Sequence, residues 1–164
     1  MPITEKLRNA AEDMGIRLEM VGGLPVWEAL PVYRHQSLIF RIQTSIRAKQ
    51  RTAEGCGCVQ VADVSIRFPE GSQKRPDIAI FCREPDELDE EVRMVPEAVI
   101  EILSKGYEDK DLKVGVPFYL EQGVKDVVVM DPLTLQVLHF RGPARMEYRS
   151  PEEIELLCGC VCTV

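Results

Sequence analysis

Long apolar runs are missing from this sequence: no stretch reaches the roughly 18 consecutive apolar residues of a membrane-spanning helix. The chain does not begin with a basic tip followed by an apolar stretch, so no secretory signal is visible. Internal repeats and low-complexity tracts are absent as well. These absences predict a protein that is not embedded in a membrane, resides in the cytoplasm and forms one domain over residues 1–164.

Positive charge is in deficit, since the formal net charge is −7 at pH 7. This deficit argues against broad nonspecific attraction to nucleic acid, which depends on Lys and Arg side chains that neutralise phosphates. A local basic patch is still compatible with this negative net charge. The candidates are Arg34, Arg41, Arg47, Lys49 and Arg51 along a predicted helix and its end, and Lys74 with Arg75. A solvated helix face is the alternative interpretation of the first group.

Cysteines are present, but none of the six forms a CxxC pair of the kind that zinc sites usually place on turns. Cys56 and Cys58 lie two residues apart, as do Cys158, Cys160 and Cys162, and on a strand this spacing places each set on one face. Without an export signal, we expect these thiols to be reduced. We therefore expect buried, small hydrophobic side chains, with metal binding as the alternative.

The pattern of apolar residues predicts a mixed order of helices and strands. Helical spacing predicts helices over 3–14, 32–49 and 110–122. Strands are predicted over 17–21 and 25–30 as a hairpin, over 56–68 with an irregularity near Asp63, over 77–82, 98–103 and 125–130, and over 135–140 and 146–148 as a closing hairpin. The order from about residue 33 to 131 predicts an α/β or α+β fold whose mixed central sheet is flanked by helices.

Glu101 interrupts the apolar strand predicted over 98–103. A carboxylate in a core strand is costly unless a cation, a metal or the open end of the strand compensates it. Asp77 opens the preceding inner strand, so the two carboxylates converge if these strands are neighbours. Such a pair, completed by water and a phosphate, suits Mg²⁺ and metal-assisted cleavage of phosphodiesters. The alternatives are turn chemistry at Pro76-Asp77 and an ion pair between Glu101 and a core arginine.

A spaced set of residues over about 16 to 141 carries a family resemblance. The set comprises Glu19…Gly23, Pro31…His35, Pro76-Asp77, Ile100-Glu101-Ile102-Leu103-Ser104, Asp111…Tyr119…Gly123-Val124 and Asp131-Pro132. In these residues the chain resembles the Uma-two family of the PD-(D/E)XK restriction-endonuclease-like superfamily. The resemblance implies a restriction-endonuclease-like fold and an endonuclease that hydrolyses DNA phosphodiester bonds with Mg²⁺ or Mn²⁺. Analogy with nucleases that cut both strands adds the expectation of a homodimer.

The resemblance also implies roles for individual residues. Asp77 and Glu101 stand at the positions of the metal-binding carboxylates. Glu19 matches an N-terminal acidic residue that can join the site, and His35 matches a recurrent histidine. The alternatives are an exposed strand residue for Glu19 and an ordinary residue at the start of a helix for His35.

The catalytic lysine is the main departure from the family pattern. Its expected position, on the helix four residues before Tyr119, is occupied by Gly115. Gly115 and Pro117 both disfavour a regular helix, so Lys113 is the predicted substitute, with Lys110 and Lys105 as alternatives. The missing lysine and the acidic balance favour a second hypothesis, a catalytically impaired nuclease-fold protein that binds nucleic acid or protein. A structural dimerisation domain is the third hypothesis.

Overall fold

Three β-sheets form among the residues that the computed structural model describes, 5–29, 31–50 and 53–164. In chain order the elements are α1 (Glu5–Asp13), β1 (Ile16–Val21), β2 (Leu24–Ala29), α2 (Tyr33–Ser45), β3 (Arg47–Ala48), β4 (Val59–Ala62), β5 (Ile66–Arg67), β6 (Gln73–Lys74), β7 (Ile78–Phe81), β8 (Ala98–Ile102), a π-helical turn (Lys110–Gly115), α3 (Val116–Glu121), β9 (Asp126–Met130), β10 (Gln136–Arg141), β11 (Ala144–Arg149), β12 (Glu153–Glu155) and β13 (Cys160–Thr163).

The largest sheet has six strands in the order β11-β10-β9-β8-β7-β4. Strands β8 and β9 are parallel and the other neighbours are antiparallel, so the sheet is mixed, as predicted. Two smaller sheets, β2-β1-β6-β5 and β12-β13-β3, complete the architecture. The predicted α+β fold with a mixed central sheet and an N-terminal helix and hairpin is therefore confirmed.

The two faces of the central sheet bury separate apolar clusters. On β8, Ala98, Ile100 and Ile102 belong to the cluster that contains the α2 side chains and the C-terminal strands. Val99 belongs to the opposite cluster, which contains the α3 side chains Phe118 and Tyr119. Because side chains alternate along a strand, Glu101 shares the Val99 face and lies on the α3 side of the sheet.

The predicted helix 110–122 contains an irregularity at the position that its sequence suggests. Residues Lys110–Gly115 form a π-helical turn, and α3 follows with Pro117 in its first turn. Proline is tolerated there because the first N–H groups of a helix have no intrahelical partner. The helix is therefore divided where Gly115 and Pro117 disfavour a continuous one. No helix in the described ranges is both long enough and apolar enough to cross a bilayer.

Several predicted boundaries are wrong. The strand predicted over 56–68 begins only at Val59, and it is divided into β4 and β5 near Asp63, where the predicted irregularity is a left-handed conformation with φ of 54°. The helix predicted over 32–49 ends at Ser45, and Arg47–Ala48 instead pair with β13. The hairpin of β12 and β13 was not predicted. Residues 3, 4, 30 and 51 of the predicted segments, including Arg51, lie outside the described residues.

The expectation of six reduced thiols is also wrong for this structure. Disulfides join Cys56 to Cys82 and Cys58 to Cys160, whereas Cys158 and Cys162 are free. The bonded pairs are 26 and 102 residues apart in sequence, so their proximity depends on the tertiary fold rather than on local spacing. All six cysteines are nevertheless at least partly buried, and all except Cys82 belong to or pack against the apolar cluster on the α2 side of the sheet.

A buried carboxylate connects the central sheet to the C-terminal hairpin. Asp126, at the start of β9, is fully buried and lies 2.7 Å from both His139 Nε2 and Arg141 Nε. Its second oxygen accepts a hydrogen bond of 2.8 Å from the Leu157 N–H. Burial opposes ionisation, but the bonds from His139, Leu157 and Arg141 lower the pKa of Asp126 below its usual value. A charged Asp126 therefore organises three chain segments.

Candidate functional site

Asp77 and Glu101 hold each other in place at one end of the central sheet. Antiparallel pairing aligns Ile78 with Ile100, so Asp77 and Glu101 follow as the next opposed residues. The Asp77 N–H donates to Glu101 Oε2 at 3.0 Å, and the Ile102 N–H donates to Asp77 Oδ2 at 2.8 Å. Each carboxylate thus accepts a backbone bond from the other strand, which fixes both side chains beside each other.

The two carboxylates experience opposite electrostatic environments. Burial raises the pKa of Glu101, and the negative charges of Asp77 and Asp111 raise it further, well above its ordinary value. Burial also acts on Asp77, but His35 and Arg17 outweigh it and lower the pKa of that carboxyl. Negative charge therefore accumulates around Glu101, where an added cation would be stabilising.

His35 and Arg17 contact Asp77 from two other elements. His35, in the first turn of α2, places Nε2 3.2 Å from Asp77 Oδ2 and 3.0 Å from the Ile102 carbonyl oxygen. Arg17, on β1, places Nη1 3.4 Å from Asp77 Oδ1. Burial lowers the pKa of His35, but its hydrogen bond to Asp77 outweighs burial and raises that pKa overall. The alternative for His35, an ordinary residue at a helix start, does not account for these contacts.

Glu19 and Lys74 form a buried ion pair next to the carboxylates. Glu19 Oε2 lies 2.8 Å from Lys74 Nζ and 3.7 Å from Lys110 Nζ, and its Oε1 accepts the Arg75 N–H at 2.8 Å. Glu19 is only 4% exposed and Lys74 1%, so Glu19 is not an exposed strand residue and Lys74 does not belong to a surface patch. The hairpin of β1 and the short strand β6 bring this pair to the site.

Tyr119 links the ion pair to the carboxylates. Its hydroxyl donates to Glu101 Oε1 at 2.7 Å, and Lys74 Nζ lies 5.2 Å from the centre of its ring. A carboxylate oxygen has two lone pairs, so Asp77 Oδ1, Glu101 Oε1 and Glu101 Oε2, which contact Arg17, Tyr119 and the Asp77 N–H respectively, keep capacity for a metal. The arrangement places hard oxygen ligands and a lysine ammonium around one aromatic ring.

Comparison with known proteins supports a nuclease-like family. Residues 4–158 match the Uma2 family model, which is described as "Putative restriction endonuclease". The chain belongs to the Uma2 family. Among solved structures, a protein described as "a putative nuclease belonging to DUF820", from Anabaena variabilis ATCC 29413, is similar to it with a TM-score of 0.60 and 19% sequence identity. The match covers 84% of this chain and 80% of the other, and it shows a shared fold. No curated protein matches.

The region left empty by Gly115 in this Uma2 protein is occupied by Lys74. A Cβ atom built on Gly115 would lie 3.8 Å from Lys74 Nζ and 3.9 Å from Tyr119 Cε2. A lysine ammonium therefore lies next to the position at which the family resemblance expects a lysine, but it comes from β6. No spacing rule identifies it, because a two-residue strand gives no periodic signal and a buried lysine resembles a surface lysine in sequence.

The structure does not bring the predicted substitute Lys113 to the carboxylates. Lys113 is exposed and its Nζ lies 2.9 Å from Asp109 Oδ2, one helical turn earlier. Lys105 is exposed too. Lys110, the remaining alternative, contacts both Glu19 and Asp111, with its Nζ 3.2 Å from Asp111 Oδ1. Among the described lysines, Lys74 and Lys110 are therefore the ones that contact Glu19 beside the two carboxylates.

A pocket of about 450 Å³ opens beside these residues. Its lining includes His35 from α2, the segment after β8 from Leu103 to Lys105, and Asp131-Pro132 after β9. Strands β8 and β9 are parallel, so both segments follow the carboxyl ends of neighbouring strands at the same edge of the sheet. The pocket therefore borders the site on the side that His35 and Leu103 form.

The Glu19–Lys74 pair should make the stability of the protein sensitive to acid. Burial opposes ionisation of Glu19, but Lys74 and Lys110 lower its pKa from 4.5 to about 2. Because the folded pKa is the lower one, the stabilisation is complete above pH 4.5 and is lost as the pH falls toward 2. This difference corresponds to about 3 kcal/mol of unfolding free energy.

The neutral double variant Glu19→Gln/Lys74→Met should lose this part of the acid dependence. Urea unfolding at several pH values between 5 and 2 measures it, and the slope of unfolding free energy against pH should be smaller than in the wild type. Glu153→Gln is the control, because Glu153 is half exposed and pairs at the surface with Arg47. Equal slopes in the double variant and the wild type would contradict the assignment.

Proposed function

We propose that this Uma2 protein is an endonuclease that hydrolyses DNA phosphodiester bonds with Mg²⁺ or Mn²⁺. The observation that carries the proposal is the reciprocal pair of Asp77 and Glu101, with a lysine ammonium beside it. Membership of a family described as "Putative restriction endonuclease" supports a nucleic acid as the substrate.

The donor set suits a hard divalent cation. Asp77 and Glu101 offer carboxylate oxygens, the ligands that Mg²⁺ and Mn²⁺ prefer. Glu101 is buried near Asp77 and Asp111, so a divalent cation would neutralise an excess of negative charge that protein groups leave in part uncompensated. Asp77 and Glu101 would therefore hold the metal, and Glu19 would act through Lys74 rather than as a ligand.

Each side chain has a separable part in this chemistry. A bound metal supplies charge neutralisation at the scissile phosphate and lowers the pKa of water. The Lys74 ammonium, held by Glu19, would stabilise the charge that develops on the phosphate. His35 and Arg17 keep Asp77 ionised and fix its orientation, since both lower the pKa of that carboxyl. Tyr119 orients Glu101 through its hydroxyl.

Asp77→Asn tests the proposed metal site. The change removes one anionic ligand while keeping the size of the side chain, so Mn²⁺ affinity should fall by more than about 100-fold and plasmid cleavage should become undetectable. Isothermal titration with Mn²⁺ and a supercoiled-plasmid assay measure the two effects. Asp86→Asn is the matched control because Asp86 is exposed in the loop between β7 and β8 and pairs with Arg83.

Two outcomes would overturn the assignment. Equal Mn²⁺ affinity in the wild type and Asp77→Asn would show that the carboxylates do not form the metal site. Wild-type cleavage that survives both Asp77→Asn and Glu101→Gln would show that cleavage takes place elsewhere. Circular dichroism of each variant establishes that the fold is retained before these comparisons are made.

A catalytically impaired binding module is the second candidate function. It is favoured by the glycine at position 115 and by the protein donors that already contact the oxygens of Asp77 and Glu101. This function predicts salt-sensitive retention of DNA without cleavage, or binding of a protein partner. The homodimer expected by analogy stays a prediction, and sedimentation in the presence and absence of DNA tests it.

A further inference from the structure

Five cysteine sulfurs converge at the end of β7 opposite Asp77. The Cys56–Cys82 and Cys58–Cys160 disulfides bring four of them together. The fifth, Cys158, has no disulfide partner, yet its Sγ and those of Cys56 and Cys160 all lie within 4.8 Å of one another. The Cys56 and Cys160 sulfurs, which belong to different disulfides, are 3.6 Å apart. The two disulfides explain why four of these sulfurs lie together, but they do not explain why the Cys158 sulfur lies beside them.

The backbone builds this convergence from two Cys-Gly-Cys segments, residues 56–58 and 158–160. The Gly57 N–H donates to the Cys82 carbonyl at 2.7 Å, and a Cβ on Gly57 would lie only 2.8 Å from that oxygen. A glycine is therefore required for Cys56 and Cys82 to approach. Gly159 turns the second segment with a φ of 90°, a conformation that side-chain-bearing residues rarely adopt.

The sulfur positions suit a tetrahedral thiolate site. Zn–S bonds of about 2.3 Å place the sulfurs of a tetrahedral site about 3.8 Å apart. The 3.6 Å separation of Cys56 and Cys160 is close to this value, and Cys158 lies within reach of both. We propose that, when its disulfides are reduced, this protein binds one Zn²⁺ ion through Cys56, Cys82, Cys158 and Cys160.

The choice of Cys82 as the fourth ligand follows from the backbone contact at Gly57, which holds Cys82 beside Cys56. Cys58 would remain a thiol that does not bind the metal. Cys162 lies two residues beyond Cys160 on β13, and its Sγ is directed to the Ile154 carbonyl oxygen instead. The proposed site therefore uses four of the six cysteines and leaves Cys58 and Cys162 uncoordinated.

The conversion between the two forms is a balanced redox and proton exchange. A trialkylphosphine reduces each disulfide: phosphorus loses two electrons, takes the oxygen of one water and becomes the phosphine oxide, while the two protons of the water complete two thiols. Zn²⁺ then replaces the protons of four thiols, which are released to solvent. Disulfide and metal forms exclude each other because a sulfur in a disulfide is not a thiolate ligand.

This site would connect segments that are distant in sequence. It would lie apart from the acidic cluster formed by Asp77 and Glu101. Cys56 precedes β4, Cys82 follows β7, and Cys158 and Cys160 belong to the C-terminal hairpin. Asp77 and Cys82 flank β7, and five residue steps along an extended strand place them roughly 16 Å apart. Zinc would therefore attach the hairpin to the central sheet, and its binding does not depend on the proposed nuclease function.

Cobalt and zinc binding to the full chain tests the proposal. After anaerobic reduction with phosphine and removal of the reductant, Co²⁺ should produce thiolate charge-transfer bands and intense visible bands of a tetrahedral site at one ion per chain. Zn²⁺ should displace Co²⁺ and abolish these bands. The Asp77→Asn/Glu101→Gln variant should give the same titration, since its changes lie in the acidic cluster.

Two double variants with four cysteines each provide the matched comparison. Cys58→Ala/Cys162→Ala keeps the four proposed ligands and should bind Co²⁺ as the wild type does. Cys56→Ala/Cys160→Ala removes two of them and should weaken binding by more than about 100-fold. Absence of the thiolate bands in reduced wild type, or equal binding by the two double variants, would overturn the proposal. The wild-type spectrum decides the matter even if a variant does not fold.

Discussion

Replacing Lys74 with methionine should reduce the rate of DNA cleavage by about 100- to 1000-fold, the usual effect of removing one donor that stabilises a charged transition state. Lys74 Nζ lies beside Gly115 and over the ring of Tyr119, whose hydroxyl contacts Glu101. Methionine keeps the length and apolar character of the side chain but removes the ammonium. Single-turnover cleavage of a supercoiled plasmid at saturating Mn²⁺ measures the change.

Lys113→Met is the matched control for this experiment. Lys113 is exposed and pairs with Asp109, so its replacement should leave the cleavage rate within about twofold of the wild type. If Lys113→Met lost activity and Lys74→Met retained it, the assignment of Lys74 would be wrong. If the wild type itself did not cleave, the proposed function would fail before the question of its lysine arose.

A second variant separates the role of the ammonium from that of folding. Lys74→Met leaves Glu19 buried without its principal cation, which is destabilising. The combined variant Lys74→Met/Gly115→Lys supplies a new ammonium from the π-helical turn, where a Cβ has room beside Tyr119. Partial recovery of cleavage would show that the reaction needs a cation in this region, whichever element provides it.

Asp126→Asn should lower the free energy of unfolding by about 3 kcal/mol, because it breaks a buried ion pair and removes the negative charge that its partners face. Asp126 accepts hydrogen bonds from His139, Arg141 and the Leu157 N–H, and it is fully buried. The asparagine side chain has one accepting oxygen, whereas its NH₂ group only donates, so it cannot replace both carboxylate oxygens as acceptors. Urea unfolding monitored by circular dichroism at pH 7 measures the loss.

The control for Asp126→Asn is the same chemical change at an exposed position. Asp86→Asn removes a surface ion pair with Arg83 and should change stability by less than about 1 kcal/mol. A loss at Asp126 no larger than at Asp86 would contradict the structural role. The effect should also shrink in acid, because Asp126 has a lowered pKa and its stabilisation is lost as the pH falls through that value.

The acidic half of the site could be predicted from sequence because it depends on regular strands. Glu101 stands out in an apolar segment, and Asp77 opens the strand before it. Antiparallel pairing of these neighbours then brings the two carboxylates together without any further information. The order of helices and strands was sufficient for the α+β fold for the same reason: long periodic segments carry a strong signal.

The cationic half could not be predicted because its geometry is irregular. Lys74 lies on a two-residue strand, and its contact with the region of Gly115 requires that the small sheet pack against the π-helical turn. The irregularity of that turn does not bring Lys113 to the carboxylates, because Lys113 is exposed and pairs with Asp109. The cysteine cluster escaped prediction because its members are brought together across 102 residues of sequence.

The origin of Lys74 in the small sheet has a consequence for how the site can be lost. The carboxylates belong to the central sheet, whereas Lys74 and Glu19 belong to the sheet of β1 and β6. Local opening of a small sheet costs less free energy than global unfolding. A displacement of the small sheet that contains β1 and β6 would therefore remove Lys74 and Glu19 from the site while Asp77 and Glu101 kept their places on the central sheet.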